Sequence, residues 1–390
     1  LPRQPDGRGA RQPRSARRAP VMTVGIVGAG QLGRMLALAG YPLGLDFLFL
    51  DPARDAPAGR VAPVLHGPFT DPKLLSRLAR ECEVLTFDWE NISVDALRTH
   101  ATSAHGARIC PPIAALAAAQ DRVAEKRLFE RLGIPTTRWR AVGSRSQLER
   151  ALRDVGIPGV LKTRRLGYDG KGQVRVRTPE DAHRGWEELG NVPLIYEEWV
   201  SFDCEVSVIG ARSAGGATVI YPLNGNVHAQ GILRLTRAPY GPPRWQRAAA
   251  THLRRCLSHF RYVGVLTIEF FVRNGRLIAN EMAPRVHNSG HWTIEGCETS
   301  QFENHLRAIL DLPLGATRPR GFSAMVNLIG DIPARAGLLA EDGLHLHDYG
   351  KQPRPGRKVG HCTVVEPTAA RRDRRARGLL AELAPGLRIP

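Results

Sequence analysis

The sequence predicts an α/β fold that opens on a mostly parallel sheet and continues into mixed α+β domains. Three observations carry this. The chain has 390 residues and is 43% hydrophobic, more than one core usually absorbs, so two or three domains are expected. Its N-terminal part alternates apolar strand runs with helical patterns, the βαβ rhythm of an open sheet. From about residue 159 the texture changes to short strands joined by glycine turns, the pattern of antiparallel hairpins.

The elements follow in order. TVGIVGAG (23–30) reads as a buried parallel strand and a glycine turn, and QLGRMLALAGYPLG continues as a helix with Leu32, Met35, Leu36 and Ala39 on one face. LDFLFLD (45–51) and VLTFDWE (84–90) read as further strands. IAALAAAQDRVAEKRLFERLG (113–133) predicts one or two helices ending at Gly133. GVLKTRR leads into a glycine-rich hairpin whose partner is QVRVR (173–177), PEDAHRGWEELG is a helix with proline near its start, and PLIYEEWV (193–200) is a strand. CEVSVIGAR (204–212) and ATVIYPL (217–223) pair around Gly215-Gly216. GVLTIEFFVRNGRLIANEMAP (264–284) is a hairpin turning at Asn274-Gly275. A helix is expected at about 299–310, then short strands and turns to about 366.

The formal net charge is +18, from 55 basic and 37 acidic residues. Such a balance raises nucleic acid or a membrane surface as partners. Much of the excess is terminal: residues 1–20 carry six arginines and one aspartate, and RRDRRAR occupies 371–377. The first is expected to be a disordered basic tail, with Met22 a natural start, and the second a solvated basic tail. The six cysteines, at 82, 110, 204, 256, 297 and 362, have no zinc-ligand spacing and suit a reducing cytosol. No apolar run is long enough to span a bilayer.

Three clusters carry chemistry. GIVGAGQLG places glycines at 28, 30 and 33 in GxGxxG spacing. It reads as a dinucleotide turn with Asp51 on a ribose, as an anion site with Gln31 as a polar arm, or as a tight packing turn. Glu269 and Glu281 flank the Asn274-Gly275 turn on neighbouring strands, with Asn280 beside them. Paired carboxylates repel unless a cation joins them, and an oxygen-rich set suits magnesium with substrate phosphates. The other reading is two solvent-facing acids paired with arginines. KTRRLGYDGKGQ (162–173) offers Lys162 as a point charge for phosphate, while Gly167, Gly170 and Gly172 free backbone donors to wrap a polyphosphate. Arg122 and Lys126 lie i,i+4 on the preceding helix. Glu197 and Glu198 stand where an adenine amine and ribose hydroxyls would be read.

These residues resemble the 5-(carboxyamino)imidazole ribonucleotide synthase family, ATP-grasp enzymes of purine biosynthesis. The resemblance spans about 23–366. It rests on GAGQLGRM, LTFDWEN, QDRVAEK, KTRRLGYDGKGQ, YEEWV, VHAQGIL, NEMAPRVHNSGHWT and YGKQPRPGRKVGH. It implies an ATP-grasp fold: an N-terminal open parallel-sheet domain at 21–122, a central lid at 123–200 and a larger C-terminal domain at 201–390. It also implies a cytoplasmic homodimer that uses ATP and Mg2+, or Mn2+ in its place, to carboxylate 5-aminoimidazole ribonucleotide with bicarbonate. The product would pass to a separate mutase, with no specific nucleic acid and no membrane involved.

Carried across, the nucleotide site is Arg122, Lys162, Gly167, Tyr168, Asp169, Gly170, Lys171, Gly172, Gln173, Glu197, Glu198, Trp199, Val200, Glu205 and His228, with Asn280 and Glu281. The metal ligands are Glu269 and Glu281. Gln31, Arg285, His287, Asn288 and Ser289 correspond to the bicarbonate and ribonucleotide site, and Lys351, Arg357 and Lys358 to its phosphate end. Lys162, Arg285 and His287 are the residues nearest the chemistry, with proton transfer by His287 left open. The chain departs from the family pattern at Asp88-Trp89 and at Gly225. Competing readings are another ATP-grasp ligase, such as a formate-dependent glycinamide ribonucleotide transformylase or a biotin carboxylase-like enzyme, a dehydrogenase on the glycine turn, and a nucleic-acid-binding protein.

Overall fold

The computed structural model describes residues 22–101, 107–167, 172–190 and 192–384. The expected tail at 1–20 lies outside the described residues, as do Tyr168, Asp169, Gly170 and Lys171.

Three sheets follow one another along the chain. The first holds β1 (Thr23–Val27), β2 (Asp46–Asp51), β3 (Val64–His66), β4 (Val84–Phe87) and β5 (Arg108–Ile109), all parallel in the order β3-β2-β1-β4-β5. Helices α1 (Gln31–Gly40), α2 (Pro72–Arg80) and α3 (Val94–Ala101) connect its strands. Leu32, Met35 and Leu36 of α1 are buried, as their spacing predicts, and Ala39 packs at the margin of the same core.

The run at 113–133 forms two helices, α4 (Ile113–Ala119) and α5 (Arg122–Arg131). Asp121 divides them, because its carboxylate caps α5 by accepting the Val123 and Ala124 N–H groups at 3.0 and 3.3 Å.

The second sheet holds β6 (Trp139–Val142), β7 (Gly159–Thr163), β8 (Gln173–Val176) and β9 (Leu194–Glu198), antiparallel in the order β6-β9-β7-β8. Helices α6 (Arg145–Val155) and α7 (Pro179–Glu188) cover it. Leu148, Leu161, Val176, Trp186 and Tyr196 form a core of its own.

The third sheet is the largest. It comprises β10 (Cys204–Arg212), β11 (Thr218–Ile220), β12 (Asn224–Ala229), β13 (Ile232–Ala238), β14 (Gly264–Arg273), β15 (Arg276–Ala283), β16 (Phe322–Ile329), β17 (Leu344–Asp348) and β18 (Lys358–Glu366). Its order is β15-β14-β10-β12-β13-β16-β18-β17, with β11 paired to β10. Helices α8 (Pro243–His259), α9 (Thr293–Gly296), α10 (Gln301–Ile309), α11 (Arg335–Ala340) and α12 (Ala369–Leu383) pack around it.

The first and third units share one core, in which Leu36 and Phe47 lie with Phe302 and Leu306. His305 of α10 fastens the join. Its Nδ1 accepts the Val265 N–H at 3.1 Å, so its Nε2–H donates to Thr86 Oγ1 of β4 at 2.8 Å. No helix among the described residues is long and apolar enough to cross a membrane.

Two expectations are corrected. The stretch before 366 is not only short strands and turns: β16 and β18 run for 8 and 9 residues. They are buried on both faces, which removes the alternation that marks a strand in sequence. RRDRRAR is not a solvated tail either, because it lies on α12. There Arg372 is buried and donates to Pro239 O at 2.9 Å, and Arg375 donates to Glu366 at 3.3 Å and to Asp342 O at 2.7 Å.

Candidate active site

The glycine turn is filled from within. Asp88, at the end of β4, accepts the Gly30 N–H at 2.6 Å and the Gly33 N–H at 3.2 Å through Oδ2. A Cβ built at Gly28, where φ is +99°, would lie 1.8 Å from Asp88 Oδ1. The glycines therefore make room for a carboxylate of the chain itself, where a dinucleotide would place its pyrophosphate. Asp51 accepts the Ala29 and Ala53 N–H groups, both at 2.8 Å. The dehydrogenase reading has no anion site left here. Burial pushes the Asp88 carboxyl up to about 6, against the two glycine amides that favour its charge.

The acid hairpin forms as the Asn274-Gly275 turn predicts. Glu269 of β14 and Glu281 of β15 are register partners. The next pair is Phe270 with Ala279, so Asn280 is the extra residue of a bulge. Glu205 and Ser207 of β10 pair with Phe271 and Glu269 on the other side of β14. His228 of β12 contacts Glu205 through Nδ1 at 2.8 Å. Burial opposes a charged His228, yet the Glu205 bond and Glu269 nearby push it up to about 9. Burial also pushes Glu269 up, to about 7, with Glu281 and Glu205 adding to the shift and His228 opposing it. Two facing acids match an oxygen donor set for a hard cation. Among the described residues no group of three or more His, Cys, Asp or Glu is placed to hold a metal by itself.

The cationic end is built around Glu197. This residue was expected to face a nucleotide, but it turns inward and is buried. Its carboxylate meets Lys126 Nζ at 3.2 Å, Lys162 Nζ at 3.1 Å and the Thr137 hydroxyl at 3.0 Å. Burial alone would raise Glu197; the two lysines hold it well below the usual carboxylate range. Burial lowers Lys162, with Arg122 and Lys126 adding to the effect and Glu197 opposing it. Lys126 was noticed only as a helix neighbour of Arg122. It is buried and also donates to Asn280 O at 2.9 Å, tying the bulge to the lysine pair. Arg122 reaches Glu281 at 3.4 Å, which joins the lysine cluster to the acid hairpin.

The rest of this end is looser. Arg164 holds Asp121 through two bonds, at 3.1 and 2.6 Å, and so anchors the start of the glycine loop. Gly167 and Gly172 are described, and Gln173 pairs with Lys162. Glu198 is held by Arg138 at 2.6 Å and Arg273 at 2.9 Å. Trp199 lies under the Arg175 guanidinium at 3.8 Å, and Val200 is buried. Phe202 stacks on Phe271 with ring centroids 4.8 Å apart, an apolar shelf beside Glu205 that was not foreseen.

The opposite end gathers residues from distant parts of the chain. Arg285 Nε donates to Glu90 Oε2 at 2.5 Å. Burial opposes the Glu90 charge, and Arg285 nonetheless holds it below the usual range. Lys351 Nζ donates to Gln31 at the start of α1. Lys358 is near enough to act on Glu90, Glu269, His287 and His291. Arg357 donates to Gln352 O at 3.1 Å on the partly exposed loop between Lys351 and Lys358. Asn288 is partly buried, and both its amide atoms are covered with neither paired among the described residues, the condition expected where a ligand completes the bonding. His287 contacts Ser289 and, at 3.4 Å, Glu269. Gly225 has a local cause: a Cβ there would lie 2.5 Å from the Tyr240 ring.

Comparison with known proteins gives three matched segments, the second of which spans the second sheet and the strands β10 to β15 of the third. Residues 21–120 match the ribonucleotide synthetase preATP-grasp domain, 127–302 the ATP-grasp domain, and 323–375 the phosphoribosylaminoimidazole carboxylase C-terminal domain. The N5-carboxyaminoimidazole ribonucleotide synthase of Pseudomonas aeruginosa is 49% identical, over 88% of this chain and 94% of its own length. The crystal structure of the Thermus thermophilus synthetase superposes with a TM-score of 0.89 at 48% identity, covering 94% of this chain and 100% of that one. An Aspergillus clavatus synthase in complex with ADP and 5-aminoimidazole ribonucleotide gives a TM-score of 0.85 at 31% identity, covering 93% and 98%. By this identity and coverage, the chain belongs to the N5-carboxyaminoimidazole ribonucleotide synthase family of ATP-grasp enzymes.

Proposed function

We propose that this chain uses ATP and bicarbonate to carboxylate 5-aminoimidazole ribonucleotide, giving 5-(carboxyamino)imidazole ribonucleotide through carboxyphosphate. One observation carries the reading: cations and acids from distant parts of the chain form one connected run of contacts. Lys126 and Lys162 meet on Glu197, Arg122 on Glu281, and Arg285 on Glu90, with Lys351 on Gln31 beyond. That is the charge pattern for a polyphosphate at one end and a phosphorylated amine at the other.

A bicarbonate oxygen attacks the γ-phosphorus, and ADP leaves. The step needs positioning and charge neutralisation more than covalent help. Lys162, already oriented by Glu197, covers phosphate oxygens. Arg285, held by Glu90, orients bicarbonate and meets the developing negative charge. Glu269, Glu281 and Asn280 would hold Mg2+, or Mn2+ in its place, which when bound neutralises phosphate charge. Exclusion of water from the site would protect carboxyphosphate. Carboxyphosphate yields carbon dioxide and phosphate. The substrate amine nitrogen then attacks carbon, a C=O π pair moves onto oxygen to give the carboxylate, and the nitrogen loses one proton to the phosphate released with the carbon dioxide. Lys351, Arg357 and Lys358 anchor the remote phosphate; Gln31 and Asn288 help hold bicarbonate or the ribonucleotide, and Ser289, fully buried, acts behind His287.

The same reading carries a cytoplasmic homodimer, which sedimentation tests, and a separate mutase that consumes the product. The direct test is ADP release with and without 5-aminoimidazole ribonucleotide and bicarbonate, using labelled bicarbonate. Release that needs the amine, with label in the product, is the expected result. Release driven instead by formate and glycinamide ribonucleotide would replace the reading.

A further inference from the structure

Ser207 lies fully buried on β10, beside Glu269 in the ladder. Its hydroxyl receives two N–H donors, Asn224 Nδ2 at 2.7 Å and Asn226 Nδ2 at 2.9 Å. Asn226 Oδ1 accepts from Asn224 Nδ2 and from Thr236 Oγ1, both at 3.1 Å, while Asn224 Oδ1 has no partner among the described residues; the direction of the relay is set from its other end, by the Ser289 backbone N–H on His287. A hydroxyl has two lone pairs and one proton. With both lone pairs engaged, the Ser207 proton goes to Ser289 Oγ at 2.8 Å. The Ser289 proton then goes to His287 Nδ1 at 2.8 Å. The Ser289 backbone N–H also points at Nδ1, at 3.3 Å.

A backbone N–H can only donate, so His287 Nδ1 carries no proton. That excludes both the Nδ1–H tautomer and the imidazolium, and leaves the one proton on Nε2. Nε2 faces the acid hairpin, 3.4 Å from Glu269 Oε1. We infer that the buried relay from Asn224 and Asn226 through Ser207 and Ser289 locks His287 as a neutral Nε2–H donor. His287 therefore gives a hydrogen bond in the cleft and does not take the proton released when the amine is carboxylated. Ser207 is a positioning residue, acting through Ser289 on the imidazole. The role in carboxylation rests on the proposed function; the tautomer does not.

The test is a two-bond 1H–15N spectrum of the full chain labelled with 15N-histidine, with the His287 signals assigned by their loss in His287→Gln. The expected pattern is a protonated Nε2 and an unprotonated Nδ1 at neutral pH. A proton on Nδ1, alone or with one on Nε2, would overturn the inference. Kinetics supply the second arm. Glutamine keeps an N–H donor and leucine does not, so His287→Gln should retain about tenfold more kcat than His287→Leu. Equal losses in the two would contradict the donor role. Ser207→Ala should lower kcat about tenfold while the KM for ATP stays within about twofold. An unchanged kcat would remove Ser207 from the relay. If the wild type showed the expected spectrum but no amine-dependent ADP release, the functional reading would fall and the tautomer would stand.

Discussion

Asp88 and Glu269 are both buried acids whose carboxyls burial pushes up, to about 6 and about 7. Their partners differ. Asp88 has the amides of Gly30 and Gly33. Glu269 faces a second carboxylate, Glu281. The glycine turn is thus closed by the chain's own amides, whereas the acid hairpin keeps facing carboxylates, with Arg122 on Glu281 and His228 near Glu269, on which the proposed cation would sit. The lesson is that a glycine-rich helix start is no site until its donors are shown to be unused.

The largest expected break in this contrast is at the hairpin. Glu281→Ala should lower ATP turnover by about a thousandfold in a chain that still folds, since a metal ligand and the Arg122 partner are both lost. Near-normal turnover at limiting Mg2+ would refute the assignment.

Glu197→Gln comes next. It leaves Lys126 and Lys162 buried without their counter-ion, and should cost about 3–5 kcal/mol by thermal or denaturant unfolding, with a raised KM for ATP. A stable variant with normal ATP kinetics would contradict the claim that Glu197 holds the two lysines in place.

Asp88→Asn sharpens the other side. The folded value of about 6 lies above the ordinary 3.8, so the native state holds an extra proton between those values. Relative to the asparagine variant, the wild type should lose stability as pH rises from about 4 to about 6. The loss totals about 3 kcal/mol and is flat above that window. A difference in Tm that stays constant with pH, or grows in favour of the wild type, would contradict the buried-acid account.

The smallest effect belongs to Lys351→Ala. It should raise the KM for 5-aminoimidazole ribonucleotide about tenfold with little change in kcat, because it removes binding remote from the reacting atoms. An unchanged KM would place the phosphate elsewhere.

Much of this was legible in the sequence. The Asn274-Gly275 turn made the hairpin legible, but its register alone sets Glu269 opposite Asn280; the bulge at Asn280, which no sequence pattern announces, brings Glu281 opposite Glu269 instead. The βαβ rhythm exposed the parallel sheet. What escaped reading has physical causes. Asp88 reaches the glycine turn from 58 positions beyond Gly30, a contact that no local pattern encodes. Glu197 looked like a ligand because YEEWV offers two adjacent acids, and only the strand's alternation decides which one turns inward. Lys126 and Ser207 are polar residues in buried places, and their partners come from other elements. β16 and β18 lost their alternation by being covered on both faces.

The account depends most on the acid hairpin binding a divalent cation, and the Mg2+ dependence of ADP release measures this directly. With ATP, bicarbonate and the ribonucleotide saturating, wild-type release should stop on chelation. Glu269→Gln, folded with an unchanged Tm, should need at least about tenfold more Mg2+ for half-maximal rate. Identical Mg2+ curves for the two proteins would contradict it.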